Sequence, residues 1–305
     1  MIIKGDCIAE MQKMPTDSVD LVFGSPPYED ARTYGIDFKV KGQDWVDWMV
    51  VVYIESLRVC KGLVAYVVEG KTRKFSYSGT PLLLAADLIR AGVTLRKPPI
   101  YRRDGIPGSG GPDWLRNDYE FIICATNGGR LPWSDNTAMG KICKHAPGGA
   151  MSYRHADGRR RNARTGRRLG PKVEEFMANP ILGAKLHTKR EIDGTMRTQC
   201  YTPPKKANPG NIIHCNVGGG QMGSKIAHEN EAPFPLALAE FFVKSFCPPG
   251  GITLDPFCGS GTTGAAAVKA GREFIGIDVR ASQVALSYRR LSEARRQINV
   301  PIEEL

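Results

Sequence analysis

The sequence lacks several features that would place it in a simple class. No apolar run approaches the length of a membrane-spanning helix, and the first residues, Met-Ile-Ile-Lys-Gly-Asp, have no signal-peptide pattern. The eight cysteines include no Cys-x-x-Cys pair, so we expect no metal site. No internal repeat is visible. We therefore expect a cytoplasmic protein with reduced thiols, and its 305 residues suffice for a complete core.

Positive charge is concentrated in one stretch of the chain. The formal net charge is +11, and residues 130–225 hold 18 Lys and Arg against 6 Asp and Glu. Such a stretch cannot bury a core of its own, and it suits either phosphate contacts or a solvated surface loop. We favour phosphate contacts. The densest cluster comprises Arg154, Arg159, Arg160, Arg161, Arg164, Arg167, Arg168 and Lys172.

A glycine-rich run near the end of the chain has the form of a ligand-binding turn. It reads Asp-Pro-Phe-Cys-Gly-Ser-Gly-Thr-Thr-Gly over 255–264 and follows a predicted strand over 251–254. Glycines let the backbone turn tightly and approach a ligand closely. A helix is predicted over 262–270, ended by Gly271, and the next strand leads to Asp278.

The acids beside this turn indicate what it binds. Asp278, at the end of the second strand, is placed to accept hydrogen bonds from two ribose hydroxyls. Asp255 would repel a pyrophosphate, and the Gly-Lys-Ser/Thr ending of a phosphate loop is absent. An acid at 255 suits an ammonium or a sulfonium instead. The turn therefore favours a nucleotide-like ligand with a positive charge over an ordinary strand-to-helix connection.

A second run, Ser25-Pro26-Pro27-Tyr28, follows a predicted buried strand over Val19–Gly24. In an open α/β sheet, the carboxyl ends of neighbouring strands form the ligand crevice. The two loops can therefore face one another, although some 230 residues separate them. Alone, this run would be an ordinary turn, but beside the glycine-rich run it indicates a substrate site.

The two runs resemble the signature motifs of DNA amino-methyltransferases, which use S-adenosylmethionine. The resemblance extends to Gly5-Asp6-Cys7, to Asp20-Leu21-Val22 and to Ala232-Pro233-Phe234-Pro235. The substrate run precedes the cofactor run, as in the permuted β group of that family. The resemblance covers both ends of the chain and does not extend to the basic middle.

The resemblance implies S-adenosylmethionine as cofactor and double-stranded DNA as partner. It points to a bacterial or phage-encoded enzyme, either part of a restriction–modification system or an orphan, and it leaves a homodimer open. It assigns catalysis to Ser25, Pro26, Pro27 and Tyr28, and it places target recognition in the basic stretch, whose eight clustered cations would bind DNA. The implied cofactor-binding residues are Asp6, Cys7, Phe234, Asp255, Phe257, Gly259, Gly261, Thr262 and Asp278.

The chemistry of an exocyclic amino group gives the Ser-Pro-Pro-Tyr run a role. The nitrogen lone pair is delocalised into the ring, so acceptors on both N–H bonds are needed before it can attack a methyl sulfonium. We expect the Ser25 hydroxyl oxygen and the rigid Pro26 carbonyl to be these acceptors. Tyr28 is expected to stack on a base that has left the duplex.

The sequence gives less direct evidence for the target base than for the reaction. Ser at position 25 is usual in N4-cytosine enzymes, whereas N6-adenine enzymes usually carry Asp or Asn there. The cytosine signature, however, normally has Thr before that Ser, and position 24 is Gly. Adenine enzymes are also the commoner class. We favour N6-adenine, with N4-cytosine as the alternative, and the Pro-Cys-Gln loop of ring-carbon cytosine methyltransferases is absent.

Two other classes compete with this interpretation. A non-catalytic DNA-binding protein could retain a degenerate cofactor fold, but Ser25, Tyr28, Asp255 and Asp278 are all present. An RNA or protein-glutamine methyltransferase could use a similar Pro-Pro-Tyr loop. The Arg-rich stretch and the order of the motifs favour duplex DNA.

Alternating strands and helices predict an α/β fold with a doubly wound, mostly parallel, Rossmann-like sheet and an inserted basic target-recognition region. We predict a catalytic half over 1–127, the insert over 128–227 and an S-adenosylmethionine-binding half over 228–305. The last helix is predicted to carry Val284, Tyr288 and Leu291 on one face. The remaining predicted helices are 7–14, 45–59, 81–91 and 282–296, and the remaining predicted strands are 63–68, 120–125 and 274–277. Residues 105–111 are predicted to form a flexible glycine-rich loop. No element is assigned between 128 and 230.

Overall fold

The computed structural model describes residues 1–30, 38–105, 113–142, 185–190, 196–201 and 206–298. The chain divides into two units, one formed by Met1–Asn136 with Gly210–Leu305 and the other by Thr137–Pro209. The eight clustered cations and the predicted loop after Gly105 lie outside the described residues. The functional division at residues 127 and 227 stays a prediction.

Nine strands form one twisted, mostly parallel sheet in the larger unit. The strands are β1 Ile2–Lys4, β2 Val19–Gly24, β3 Cys60–Val68, β6 Thr94–Arg96, β7 Ile100–Asp104, β8 Tyr119–Thr126, β11 Ile212–Asn216, β12 Ile252–Asp255 and β13 Glu273–Asp278. Their spatial order is β1-β13-β12-β2-β3-β8-β7-β11, with β6 also paired to β8. Of the nine strands described in this sheet, only β8 runs antiparallel to its neighbours.

Two short pairs of strands lie outside this sheet. Strands β4 (Thr72–Arg73) and β5 (Ser76–Tyr77) form a small hairpin in the larger unit. In the smaller unit, β9 (Lys185–Arg190) pairs antiparallel with β10 (Met196–Tyr201).

Helices cover both faces of the sheet, because alternate strand residues point to opposite faces. Leu21 and Phe23 of β2 belong to one hydrophobic core, and Val22 belongs to the other. The helices are α1 Cys7–Gln12, α2 Gly42–Val59, α3 Thr80–Arg90, α4 Leu236–Phe246, α5 Thr262–Lys269 and α6 Ala281–Ile298. The first core packs against α4, α5 and α6, and the second core packs against α1, α2 and α3.

The structure confirms the predicted doubly wound, mostly parallel sheet. It adds β1, β6, β7, β11 and α4, which the sequence interpretation did not assign, and β11 falls within the predicted insert. Within the predicted face of α6, Leu291 is buried and Tyr288 is half exposed. None of the helices in the described ranges combines the length and apolar character of a membrane span.

Candidate active site

A cavity of about 500 Å³ opens at the carboxyl ends of the parallel strands. It collects the segments that follow β1, β2, β12 and β13, as expected for ligand sites of open α/β sheets. Two predicted residues, Asp255 and Gly261, are not in its wall. The predicted residues that do line it are Asp6, Cys7, Ser25, Pro26, Pro27, Tyr28, Phe234, Phe257, Gly259, Thr262 and Asp278.

Asp278 lies in the cavity wall as predicted, at the last position of β13. Its Oδ2 accepts a hydrogen bond from the Gly259 backbone N–H at 3.0 Å, and its Oδ1 accepts one from the Arg280 N–H at 2.9 Å. A carboxylate has about four lone-pair sites. Asp278 therefore anchors the glycine-rich turn and retains acceptor capacity for a ligand.

Asp255 lies behind the cavity wall, and its predicted role in cofactor binding stays a prediction. Its side chain is 1% exposed, and its Oδ1 accepts a hydrogen bond from the Phe257 N–H at 3.0 Å. Burial raises the pKa of this carboxyl to about 7, and the neighbouring Asp278 adds to the shift. The carboxylate therefore shapes the turn from behind the cavity wall, and the predicted contact with a ligand ammonium does not follow from the structure.

Gly261 also acts through the shape of the turn. Its φ of 76° lies in the left-handed region, and it immediately precedes α5 as the N-cap residue. A Cβ at this position would lie 3.0 Å from the Ser287 Oγ. The tight turn and its close approach to α6 thus explain this glycine, rather than a place in the cavity wall.

The Ser-Pro-Pro-Tyr segment is held so that two acceptors remain available. The Ser25 hydroxyl donates to the Val67 carbonyl at 3.2 Å and lies 3.4 Å from the Tyr28 hydroxyl. The Trp45 indole N–H donates to the Pro27 carbonyl at 2.9 Å. Among the described residues, no group donates to the Pro26 carbonyl. The Ser25 oxygen and the Pro26 carbonyl can therefore both accept from a ligand.

Tyr28 is held by a partly buried ion pair that the sequence interpretation missed. Its hydroxyl donates to the Glu120 Oε2 at 2.7 Å, and the Glu120 Oε1 pairs with the Arg103 Nη1 at 3.1 Å. Burial raises the pKa of Glu120 above its ordinary value, although Arg103 and the bond from Tyr28 oppose the shift. Arg103 and Glu120 both line the cavity. They fix the tyrosine ring at its hydroxyl end.

The remaining wall is aromatic and apolar, with one unpaired amide. The Phe257 ring contacts Trp48 edge to face, with 5.7 Å between centroids, and Phe234 contacts Phe23 in the same way at 5.7 Å. The buried Oδ1 of Asn230, another residue of the wall, has no hydrogen-bond partner among the described residues. Flat apolar surfaces beside an acceptor-rich acid and an unpaired amide suit the adenosine part of S-adenosylmethionine.

Cys258 is unsuited to nucleophilic catalysis. It is buried in the turn, and burial raises the pKa of its thiol. A thiol that stays protonated is a poor nucleophile. The site therefore has to act by holding its ligands rather than by a covalent cysteine intermediate.

The missed residues carried weak signals in the sequence. Glu120 is an acid within a strand whose later residues are apolar. Arg290, whose guanidinium donates to the Thr262 Oγ1 of the cavity wall, is a cation at helical spacing from the buried Leu286 and Ala294. Either feature is compatible with an exposed charge. Only the pairing of β7 with β8, and the packing of α6 beneath the turn, bring these side chains to the site.

This fold and cavity define the class of S-adenosylmethionine-dependent methyltransferases. Residues 19–289 match the DNA methylase family N6_N4_Mtase, and the chain belongs to that family. It is an S-adenosylmethionine-dependent DNA amino-methyltransferase, as the sequence resemblance implied.

One curated relative and two solved structures are similar to most of the chain. The DNA adenine methyltransferase YhdJ of Escherichia coli K12 is 26% identical over 299 residues, which covers 96% of this chain and 83% of YhdJ. The PvuII cytosine-N4-specific DNA methyltransferase shares the fold, with a TM-score of 0.62, 16% identity and coverage of 97% and 91%. TTHA0409 of Thermus thermophilus, solved with S-adenosylmethionine, has a TM-score of 0.56, 20% identity and coverage of 96% and 95%.

Proposed function

We propose that the protein methylates the exocyclic amino group of a base extruded from duplex DNA at specific sites, and that this group is N6 of adenine. The observation that carries the proposal is the pair of available acceptors, the Ser25 oxygen and the Pro26 carbonyl, in the cavity that also contains Asp278. Bound S-adenosylmethionine supplies a methyl group on a sulfonium. The residues of this chain position the amino group that receives it.

The hydrogen bond from Ser25 to Val67 supports its role as an acceptor. A hydroxyl has one proton and two lone pairs, and the proton is already donated to the Val67 carbonyl. The oxygen then presents lone pairs to the cavity. Together with the Pro26 carbonyl, it can accept both N–H bonds of an amino group and direct the nitrogen lone pair away from the ring plane.

The choice of adenine rests on a relative that spans most of the chain. YhdJ is named as a DNA adenine methyltransferase. Ser25 itself favours N4-cytosine, which is the second candidate. A Cβ at position 24 would lie 2.2 Å from the Asp255 Oδ1, so a Thr there would require the Asp255 side chain to move. Packing against this side chain therefore offers a reason for the glycine that does not depend on the base.

Methyl transfer to unmethylated plasmid DNA tests this function directly. The DNA is incubated with purified protein and S-adenosylmethionine, digested to nucleosides and analysed by mass spectrometry. We expect N6-methyladenine. N4-methylcytosine would overturn the choice of base, and methylation of an RNA control without methylation of DNA would overturn the choice of nucleic acid.

Target recognition is assigned by this proposal to the basic insert over 128–227. Its eight clustered cations, Arg154 to Lys172, would contact phosphates and bring the duplex to the cavity. The catalytic half over 1–127 and the cofactor-binding half over 228–305 complete the proposed division. The cytoplasmic location and the homodimer stay predictions.

Asp278→Ala is expected to weaken S-adenosylmethionine binding by about 1.5–3 kcal/mol, because a charged acceptor for the ribose hydroxyls is lost. Isothermal titration calorimetry measures this change. Asp44→Ala, which removes an exposed acid from the start of α2, is the control and should bind like the wild type. Unchanged affinity of Asp278→Ala would contradict the ribose assignment.

Tyr28→Ala is expected to lower turnover by about 5- to 150-fold, because stacking on an extruded base is worth about 1–3 kcal/mol. Tyr28→Phe keeps the ring and loses the hydroxyl contacts with Glu120 and Ser25, so we expect it to retain more of the turnover. Both variants should bind S-adenosylmethionine like the wild type. Equal losses in cofactor binding and turnover would instead place Tyr28 against the cofactor.

A further inference from the structure

The β4–β5 hairpin carries an exposed aromatic side chain at its tip. Lys74 and Phe75 form the turn, with φ angles of 47° and 64°, and the side chain of Phe75 is 80% exposed. Two-residue turns with positive φ at both positions favour Asn-Gly, because a larger side chain is strained there. A bulky apolar residue at this position stabilises neither the turn nor a core. Phe75 therefore indicates a contact outside the chain.

The hairpin lies at the same edge of the sheet as the candidate active site. It follows β3, which pairs in parallel with β2, so both strands end at the edge where the Ser-Pro-Pro-Tyr segment begins. Val67, the penultimate residue of β3, lines the cavity and accepts the hydrogen bond from Ser25. A molecule that enters the cavity from solvent therefore passes the hairpin side of this edge.

Contacts with the residues after Tyr28 fix the first strand of the hairpin. The Lys71 backbone N–H donates to the Glu29 Oε1 at 3.2 Å, and the Lys71 Nζ donates to the Asp30 carbonyl at 2.6 Å. Arg73 forms an ion pair with the Asp30 carboxylate. Because Glu29 and Asp30 directly follow Tyr28, the hairpin has a defined position beside the residue proposed to stack on the target base.

The second strand of the hairpin is fixed to the end of β3. The Tyr77 hydroxyl donates to the Glu69 Oε1 at 2.9 Å, and the Ser78 N–H donates to the Lys71 carbonyl at 3.0 Å. A Cβ on Gly70 would lie 2.7 Å from the Tyr77 ring, so this ring packs closely on the Gly70 backbone. The exposed Phe75 ring is thus held by an element that is anchored on both of its strands.

The charge of the hairpin matches a nucleic acid. Residues 71–78 contain Lys71, Arg73 and Lys74 and no acid. Asp30 pairs with the first two of these cations, and Lys74 forms no ion pair in the part of the chain that the structure describes. Cations around an apolar ring disfavour an apolar protein surface as partner. They suit a ring that enters a base stack while its neighbours contact phosphates.

We infer that Phe75 enters the base stack of duplex DNA beside the target nucleotide and occupies the space that the extruded base leaves. Extrusion costs unstacking and unpairing energy, and an aromatic ring in the vacated space replaces part of the lost stacking. Lys74 and its neighbouring cations would bind the adjacent phosphates. The inference rests on the proposed function through base extrusion, and it holds for adenine and cytosine alike.

Mispaired duplexes test the inference, because a mispaired base leaves the stack at lower cost. Sequencing of plasmid DNA methylated by the wild type identifies the target site. Two oligonucleotide duplexes then carry this site, with the target base either paired or mispaired. We expect Phe75→Gly to slow single-turnover methyl transfer about tenfold on the paired duplex and less than about threefold on the mispaired duplex. Phe75→Leu keeps an apolar wedge and should lose less on the paired duplex.

Stability and cofactor affinity separate this role from a structural one. Phe75→Gly relieves the strain of a positive φ, so it should unfold in urea at the same concentration as the wild type or at a higher one. It should bind S-adenosylmethionine like the wild type in calorimetry. Ile89→Ala is the matched control, since it removes another exposed apolar side chain, 62% exposed on α3. The control should methylate both duplexes at the wild-type rate.

Equal losses of Phe75→Gly on both duplexes, or no loss on either, would overturn the inference. Unfolding of Phe75→Gly at a lower urea concentration would assign Phe75 to the fold instead. A wild-type dimer that Phe75→Gly dissociates in sedimentation would assign this residue to a contact between copies of the chain. If the wild type methylates no DNA, the proposed function itself fails, and that outcome is distinguishable from the other three.

Discussion

Ser25→Ala is expected to lower the turnover of methyl transfer by about 5- to 150-fold, which corresponds to about 1–3 kcal/mol for a lost acceptor in a dry site. In the structure, the Ser25 hydroxyl donates to the Val67 carbonyl, so its oxygen is oriented as an acceptor. Alanine would leave one N–H of the substrate amino group unpaired. S-adenosylmethionine affinity should not change, because Ser25 is assigned to the base and not to the cofactor.

Single-turnover methyl transfer to duplex DNA measures this effect separately from product release. Ser292→Ala is the control, because this serine is exposed on α6 and bonds only within the helix. Full activity of Ser25→Ala would contradict the role of the hydroxyl.

Ser25→Asp extends the same experiment to the target base. With adenine as substrate, a carboxylate should be tolerated, because N6-adenine enzymes usually carry Asp or Asn there. With cytosine, the longer charged side chain should crowd the site and slow transfer. A severe loss of activity in Ser25→Asp would therefore count against adenine.

The parallel sheet and the position of the site could be predicted because their signals are local. Buried parallel strands are short apolar runs, and a ligand site forms where such strands end in loops of Gly, Pro and acids. Val19–Gly24 and Ile252–Asp255 both end in such loops. Strand β12 pairs with β2, so the two loops are neighbours at one edge of the sheet.

The residues that support the site could not be predicted, because they depend on long-range pairing. Arg103 meets Glu120 only because β7 pairs with β8, with Tyr101 opposite Glu120. Arg290 meets Thr262 because α6 packs against α5. Sequence spacing alone cannot distinguish such buried charges from ordinary surface charges.

Asp255 shows a second limit of the sequence, because the ligand-binding role predicted for this motif residue stays a prediction. An acid beside a glycine-rich turn is compatible either with a cationic ligand or with the backbone N–H groups of the turn itself. The bond from the Phe257 N–H and the nearly complete burial of Asp255 favour the second role. The carboxylate also occupies the space next to Gly24.

Gly24→Ala is therefore expected to destabilise the fold by about 1–3 kcal/mol through overpacking and to lower turnover as well. The added Cβ would lie 2.2 Å from the Asp255 Oδ1 and 2.9 Å from its Cγ, so the Asp255 side chain, or with it the end of β2 or of β12, must shift. The substrate loop follows β2 directly and the cofactor turn follows β12 directly. A shift between these strands would therefore misalign the two ligands.

Urea unfolding and cofactor calorimetry on Gly24→Ala, Asp255→Ala and the double variant test this packing argument. Because removal of the Asp255 carboxylate makes room for the new methyl group, the double variant should be more stable than the sum of the single effects predicts. Gly210→Ala is the control, since a Cβ there would meet nothing within 4 Å. Additive effects of the two substitutions would mean that Gly24 and Asp255 are not coupled. The glycine before Ser25 would then again bear on the choice between adenine and cytosine.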